Sequence, residues 1–297
     1  MGITGLLANT IKLYRKMITR RKFITGTTAA LTASLFAPDA FIPCAGNKLE
    51  NIGFISGIIG KELKGDWKAV LRQVASFGYT EIETGNFLGD SAESYTGFLK
   101  EIGLTPVAGG INFNAGDQEL RNALELLSKL QINIAVVYWP WYTGGPFKHD
   151  ECIKSAERLN YLGKFCHNYG FRLCWHNHDK EFIPMEKGLP FDFLMNNTDR
   201  EIVFCELDLY WVKKGGGDPS GVLKKYEGRF PILHVKDMAP GPEMDFECPG
   251  NGIIDFAEIF REAHKQGIKH YMVERDNVPD GIVCLKSASE FLRNLRF

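Results

Sequence analysis

Short apolar segments alternate with longer amphipathic stretches over most of this chain, and that alternation limits the folds open to it. The amphipathic stretches carry apolar residues at the helical i, i+3 and i+4 spacing. Repeated strand–helix units build a parallel sheet, and eight of them, without a spare strand, favour a closed barrel over an open sheet. The predicted strands cover residues 52–57, 79–84, 105–112, 132–139, 171–178, 202–210, 231–237 and 270–276.

Residues 49–297 are therefore predicted to form one (β/α)8 TIM barrel of the α/β class. Their number, about 249, is typical of a single eight-fold barrel. Glycines at 78, 103 and 170 follow helical stretches, where a helix C-terminus favours glycine. Pro219 and Asp255 stand where helices should begin. The pattern leaves no segment for a second domain.

The first 48 residues have a different composition from the rest of the chain. They contain seven Lys or Arg and one acid, and Arg20 and Arg21 precede an apolar, small-residue run over residues 23–38. Paired arginines before a short apolar region are typical of a twin-arginine (Tat) export signal. The run is too short and too rich in Thr to favour a membrane span. We predict export to the periplasm, with an uncleaved anchor or a chance Arg pair as the alternatives.

Charge argues against a nucleic-acid partner for the remaining residues. Without the leader, 28 basic and 35 acidic residues are left, a net charge of about −7. A nucleic-acid-binding face would need an excess of basic side chains to neutralise phosphates. The sequence carries no signal for a particular oligomeric state.

The seven cysteines form no C-x-x-C pair, so neither a zinc ribbon nor a redox motif is indicated. Cys205 is predicted to face outward from the barrel, beneath a helix. Export permits disulfides, but Tat substrates usually cross the membrane already folded. We therefore predict no disulfide.

Polar side chains follow the apolar part of the four last predicted strands. His176 and His178 end the fifth strand, and Asp208, His234 and Glu274 end the next three. Since the active site of such a barrel lies at the C-terminal ends of its strands, these side chains should meet at one rim. Several buried carboxylates repel one another unless a cation lies between them. We predict that His176, Asp208, His234 and Glu274 bind one divalent metal ion.

The donor set narrows the identity of that ion. Two imidazoles and two carboxylates suit Mn²⁺, Zn²⁺, Fe²⁺ or Co²⁺ better than an all-oxygen calcium site. If Asp208 points inward, Glu206 lies one layer deeper in the barrel. The alternative is that these are separate, salt-bridged rim residues. The polar pairs at i, i+2 spacing, all placed at this rim by the prediction, are Glu81 with Glu83, His176 with His178, Glu206 with Asp208, His234 with Lys236, and Glu274 with Asp276.

Nearly the whole of residues 49–297 resembles the sugar phosphate isomerase/epimerase family, also called xylose isomerase-like barrels. The resemblance implies one divalent metal, usually Mn²⁺, with Asp208, His234 and Glu274 as ligands; Mg²⁺ is a further possibility for this chain. Sugar epimerases have Glu-Asn-His or a similar sequence at the first ligand position, where this chain has His176-Asn177-His178. The remaining ligand is therefore either His176 or another residue. The matching motifs are W-H-N-H at 175–178, E-L-D-L-Y-W at 206–211, L-H-V-K-D at 233–237, G-N-G-I-I-D-F at 250–256 and V-E-R-D at 273–276.

The chemistry expected of this site is proton abstraction next to a carbonyl. A metal that grips a carbonyl and a neighbouring hydroxyl acidifies the carbon between them, and a base then produces an enediolate. Glu274 or His178 is the predicted base, and Lys236 is predicted to bond a substrate oxygen. An isomerase or epimerase returns the proton, whereas a lyase or dehydratase expels a β substituent. Because one of the two catalytic glutamates of epimerases is absent, elimination stays open.

A carbohydrate is the expected substrate. Trp139 could stack on a sugar ring and Asn112 could bond hydroxyls, with packing and loop capping as the alternatives. Glu83 is either a partner of a ligand or a substrate contact. Some barrels hold phosphate at the position of Gly250-Asn251-Gly252, but export favours a free sugar or a glycoside derivative.

Two other classes of protein compete with this enzyme. An exported sugar-binding barrel would bind a ligand without turnover. A repair endonuclease of the related barrel type needs about three zinc ions, and the chain lacks both its extra histidines in obvious positions and a basic surface.

Overall fold

The computed structural model describes residues 46–297, so the predicted leader lies outside the described residues except for its last three positions. Eight parallel strands close into a barrel in the order β1–β10–β7–β6–β5–β4–β3–β2, which confirms the (β/α)8 prediction. A small antiparallel pair, β8 and β9, lies in the connection after β7. The strands are β1 Gly53–Ile55, β2 Glu81–Glu83, β3 Thr105–Gly110, β4 Ile134–Val137, β5 Arg172–His176, β6 Val203–Asp208, β7 Ile232–Val235, β8 Asp237–Met238, β9 Phe246–Glu247 and β10 His270–Val273.

The barrel strands are shorter than the sequence pattern indicates. The predicted fifth strand ran to His178, whereas β5 ends at His176. Pairing of β5 with β6 stops at His176, whose partner is Glu206, so the residues after His176 belong to the loop. His178 therefore stands at the start of a loop, although its ring still lies 5.0 Å from that of His176.

Helices surround the barrel, and several begin with a side-chain cap. Asp255 accepts a hydrogen bond from Glu258 N and so caps α8, and Pro219 is the first residue of α7, as the sequence indicated. The helices are α1 Trp67–Ser76, α2 Ala92–Glu101, α3 Asp117–Lys129, α4 His149–Asn168, α5 Pro190–Asn197, α6 Leu209–Lys214, α7 Pro219–Lys225, α8 Phe256–Lys265 and α9 Gly281–Asn294. None of the described helices combines the length and the apolar character that crossing a membrane requires.

The apolar core has two parts. A small cluster that includes Val136, Cys174 and Met272 fills the barrel, and a larger one packs between the strands and the helices. Cys205 is fully buried in the outer cluster, which confirms its predicted outward orientation.

A disulfide joins Cys248 to Cys284, so the prediction of no disulfide is wrong. The two residues are 36 positions apart in sequence, one after β9 and the other in α9, with their Cα atoms 5.6 Å apart. Their pairing depends on how α9 packs beside the loop after β7. No local motif in the sequence could have revealed it.

Candidate active site

Four side chains from the C-terminal ends of neighbouring strands converge at the mouth of the barrel. One nitrogen or oxygen atom from each of His176, Asp208, His234 and Glu274 lies within 4.8 Å of the corresponding atoms of the others. His176, Asp208 and His234 are buried, and Glu274 is only partly exposed. The geometry thus brings together the four residues that the sequence predicted as metal ligands.

Asp208 is held rigidly because both its backbone and its side chain are anchored. Its Oδ1 accepts a hydrogen bond from Trp211 N at 2.8 Å and caps α6. The side chain of Asn177 bonds the backbone of Asp208 on both sides, accepting from its N at 2.9 Å and donating to its O at 3.3 Å. Since Oδ1 is committed to the helix, Oδ2 is left facing the cluster.

His234 lies between three carboxylates. Its Nδ1 is 2.8 Å from Glu274 Oε2, and its Nε2 is 3.0 Å from Glu83 Oε2 and 3.2 Å from Glu206 Oε2. Burial opposes a charged imidazole, but the negative charges of Glu206, Glu83 and Glu274 outweigh it and raise the pKa of His234 well above its ordinary value. Without a metal, this imidazole carries a charge that offsets part of the acidic cluster.

Lys236 supplies the second positive charge of the cluster. Its Nζ lies 2.7 Å from Asp276 Oδ2, 3.1 Å from Glu274 Oε2 and 3.3 Å from Asp208 Oδ2. Burial lowers its pKa, but the three carboxylates outweigh burial and raise the pKa above its ordinary value. For Glu274, burial acts to raise the pKa, but the positive charges of Lys236 and His234 outweigh it and hold the pKa well below its ordinary value. Lys236 is therefore an ammonium ion and Glu274 a carboxylate.

The cluster fits a divalent metal ion. Asp208 Oδ2 is buried and makes no hydrogen bond of good geometry with the described residues, although Lys236 Nζ lies 3.3 Å away. Burial raises the pKa of Asp208 to about 6, although the charge of Lys236 acts in the opposite direction. An unsatisfied buried carboxylate oxygen is costly, and a bound cation removes that cost. Together with two imidazoles and a second carboxylate, this oxygen completes a donor set typical of Mn²⁺, Zn²⁺, Fe²⁺ or Co²⁺.

His178 lies beside the cluster and is uncharged at neutral pH. Burial, followed by the charge of Lys236, lowers the pKa of His178 to about 4. Its Nδ1 is buried without a hydrogen-bond partner among residues 46–297. The rings of Trp139 and Trp211 lie 5.0 Å and 5.4 Å from the His178 ring. A neutral imidazole with an unoccupied nitrogen is suited to accept a proton.

A cavity of about 280 Å³ opens over these residues. Of the predicted substrate contacts, Glu83 and Lys236 line it, but Trp139 and Asn112 are not among its lining residues in the described part of the chain. Asn112 is exposed, and its amide donates to Glu119 and accepts from Asn114 N, which is the loop-capping arrangement. The cavity wall comprises Ile55, Ser56, Gly57, Glu83, Thr84, Gly85, Tyr138, His176, His178, Trp211, His234, Lys236, Glu274 and Asp276.

Glu81 does not lie at this rim, contrary to the expectation from its i, i+2 spacing. It is the first residue of β2, and its carboxylate is 3.1 Å from Nδ1 of His270, the first residue of β10. Since β2 contains only three residues, Glu81 and Glu83 lie at opposite ends of the strand.

Two residues position the site although the sequence indicated no role for them. Asn177 joins the ends of β5 and β6, and the clue to it was its place between two inward-facing histidines. Glu181 is fully buried and accepts hydrogen bonds from Trp141 Nε1 at 2.8 Å and from His178 N at 3.1 Å. Glu181 thereby fixes the loop that carries His178, and nothing in the local sequence distinguishes it from a solvent-exposed glutamate.

Asp237 organises the loop after β7 from within. Its Oδ2 accepts hydrogen bonds from Gly250 N and Gly252 N, both at 3.0 Å, and its Oδ1 accepts one from Ile254 N at 3.1 Å. A Cβ at Gly252 would lie 2.4 Å from Asp237 Oδ1, so this approach requires glycine. The G-N-G-I-I-D-F motif therefore wraps around a buried carboxylate.

The fold and the sequence both have known relatives. An inosose dehydratase of Klebsiella pneumoniae (strain 342) is 31% identical over 147 residues, which are 43% of this chain and 48% of that protein, so the match spans about half the length of the relative. A sugar phosphate isomerase/epimerase from Parabacteroides distasonis superposes with a TM-score of 0.71 at 23% identity, over 85% of this chain and 95% of that one. An IolI protein with a bound zinc atom superposes with a TM-score of 0.65 at 17% identity, over 81% and 95% of the two chains.

A family profile described as xylose isomerase-like TIM barrel matches residues 71–295, which include β2–β10 and the four predicted metal ligands. The chain belongs to the xylose isomerase-like TIM barrel family.

Proposed function

We propose that this protein is a metal-dependent enzyme that removes the proton next to a carbonyl group of a small carbohydrate. The observation that carries the proposal is the convergence of four metal-binding groups beside a neutral histidine in one cavity. His176, Asp208, His234 and Glu274 would hold the ion, for which Mn²⁺ is our expectation and zinc is known in the similar IolI protein. A divalent ion in this place would polarise the carbonyl and so acidify the neighbouring carbon.

His178 is the better of the two candidate bases. Its imidazole is neutral and its Nδ1 has no hydrogen-bond partner among the described residues, so this nitrogen has a free lone pair for a proton. The carboxylate of Glu274 is already paired with His234 and Lys236, which suits it to bind a metal rather than to take the proton. The ammonium group of Lys236 lines the cavity and stabilises the negative charge that develops on the substrate oxygen.

We infer that dehydration is the favoured outcome after proton removal. His176-Asn177-His178 stands where epimerases have a glutamate, and this leaves one neutral base rather than a symmetric pair of carboxylates. The similarity to inosose dehydratases supports elimination of water from a cyclic polyol ketone. Isomerisation or epimerisation is the second candidate. Glu274 follows β10 and His178 follows β5, and both line the same cavity, so Glu274 could return a proton to a different side of the substrate.

A turnover assay in heavy water separates these outcomes. The metal-loaded protein is incubated with inosose and with free ketoses, and proton NMR follows both the loss of water and the entry of deuterium. Dehydration yields an unsaturated product, whereas isomerisation or epimerisation yields a rearranged sugar with deuterium at the reacting carbon. If neither occurs with any compound while the metal is bound, the protein is a binding barrel and the proposed activity is refuted.

We also propose that the protein is exported through its twin-arginine segment. The Cys248–Cys284 disulfide supports this, because disulfides persist in oxidising compartments such as the periplasm. Residues 1–48 fused to a reporter should direct its secretion, and Arg20→Lys with Arg21→Lys should block it. Secretion of the doubly substituted fusion at the original level would reject the proposal.

A further inference from the structure

We infer that Glu206 is a positioning residue that fixes both histidine ligands at once. A single oxygen, Glu206 Oε2, lies 3.1 Å from His176 Nδ1 and 3.2 Å from His234 Nε2. Glu206 is not among the described residues that line the cavity, so it acts on a bound substrate only through its neighbours. The inference rests on the metal centre of the proposed function.

The position of Glu206 is fixed by the barrel itself. It lies on β6, two residues before Asp208, and pairs in register with His176 on β5 and Ile232 on β7. Its side chain is fully buried, so water cannot compete for the oxygen that both imidazoles face. The carboxylate therefore lies one layer below Asp208 and His234 and in the same layer as His176, as the strand alternation indicated.

Contact with this carboxylate determines which nitrogen of each ring is free. A bound metal requires one unprotonated nitrogen in each imidazole, and because a carboxylate accepts hydrogen bonds, the remaining protons then belong on Nδ1 of His176 and on Nε2 of His234. The opposite nitrogens then face the two carboxylate ligands, with His176 Nε2 3.8 Å from Asp208 Oδ2 and His234 Nδ1 2.8 Å from Glu274 Oε2. Glu206 thus turns the two rings in opposite senses, so that each presents its free nitrogen to the predicted metal position.

The two rings depend on Glu206 to different degrees. His234 Nε2 has a second acceptor, Glu83 Oε2, at 3.0 Å. Among the described residues, Glu206 Oε2 is the hydrogen-bond partner of His176 Nδ1. Loss of the Glu206 carboxylate should therefore release His176 more completely than His234.

Glu206→Gln tests the inference, with Glu81→Gln as its matched control. Glu81 is also a buried glutamate bonded to a histidine Nδ1, but it lies at the other end of the barrel. Partners of ligand histidines typically contribute 10- to 100-fold in metal affinity. We expect zinc affinity, measured by competition with a chelator, to fall by about that factor in Glu206→Gln and to change less than about threefold in Glu81→Gln, with circular dichroism confirming that both variants are folded.

A measurement on the unsubstituted protein keeps the inference testable if Glu206→Gln does not fold. Nitrogen-15 NMR of the zinc-loaded protein should show a protonated Nδ1 and a metal-bound Nε2 in His176, and the reverse in His234. The opposite assignment for either ring would overturn the inference. Equal zinc affinity in Glu206→Gln and the original protein would overturn it while leaving the metal centre intact, whereas failure of the original protein to bind zinc, manganese or cobalt would refute the proposed metal centre itself.

Discussion

Replacing Asp208 by Asn should stabilise the metal-free protein while abolishing metal binding. The Asn side chain keeps an Oδ1 that can accept the hydrogen bond of Trp211 N, so the cap of α6 survives. What changes is the buried Oδ2, which makes no hydrogen bond of good geometry with the described residues, lies 3.3 Å from Lys236 Nζ and is replaced by an uncharged amide nitrogen. The substitution therefore removes the charge and leaves the helix start in place.

The size of the effect follows from the pKa of Asp208. Burial, partly offset by Lys236, raises that pKa from 3.8 to about 6, which corresponds to about 3 kcal/mol. A carboxyl group with a raised folded pKa binds more protons when folded, so the free energy of unfolding falls as pH rises from about 4 to above 6. The Asn side chain resembles the protonated form of Asp208, so the free energy of unfolding of the variant does not fall over this pH range. At pH 8 the free energy of unfolding of Asp208→Asn should therefore be higher than that of the original protein by up to about 3 kcal/mol, and this difference should shrink towards zero near pH 4.

Urea unfolding in EDTA at several pH values measures this difference. Asp255→Asn is the matched control, because Asp255 caps α8 in the same way but is exposed and is not among the described residues that line the cavity. It should change the free energy of unfolding by less than about 0.5 kcal/mol at every pH. Added metal should stabilise the original protein and leave Asp208→Asn unaffected. Equal stability of Asp208→Asn and the original protein at pH 8 in EDTA would refute the reasoning.

Three further expectations concern other residues. His178→Gln should lower turnover by about 10²- to 10⁴-fold with unchanged metal content by elemental analysis, and loss of metal would instead make His178 a ligand. Cys248→Ser with Cys284→Ser should lower the free energy of unfolding in urea by about 2–4 kcal/mol, and an unchanged midpoint would contradict the disulfide. Burial raises the pKa of Glu181 to about 7 against the opposing hydrogen bond from Trp141, so the free energy of unfolding should fall by about 3 kcal/mol between pH 4.5 and 7, and Glu181→Gln should flatten that slope in a pH series.

The convergence of the site could be predicted because it follows from barrel geometry. Parallel strands place their C-terminal ends at one rim, and ladder pairing of Asp208 with His234 puts two of the four residues side by side. Polar residues after apolar runs were enough to identify His176 and Glu274 as their neighbours. Alternation along β6 likewise predicted Glu206 one layer deeper.

Other features depend on distances that the sequence does not contain. Glu81 and Glu83 are equivalent in any pattern of alternation, and only the shortness of β2 places Glu81 at the far end. The Cys248–Cys284 pair requires the packing of α9 against the loop after β7. Asn177 looks like a spacer between histidines until its amide is seen to bond the backbone of the next strand.

The carboxylate of Asp237 has a consequence for the kind of sugar that can be held near the loop after β7. Main-chain N–H groups of glycine-rich loops grip phosphate in many barrels, but here those of Gly250, Gly252 and Ile254 already bond Asp237. An incoming phosphate would have to displace an anion that is part of the chain. The Asp237 carboxylate thus occupies the N–H groups that a phosphate would need. This loop therefore gives a phosphorylated sugar no binding advantage over an unphosphorylated one.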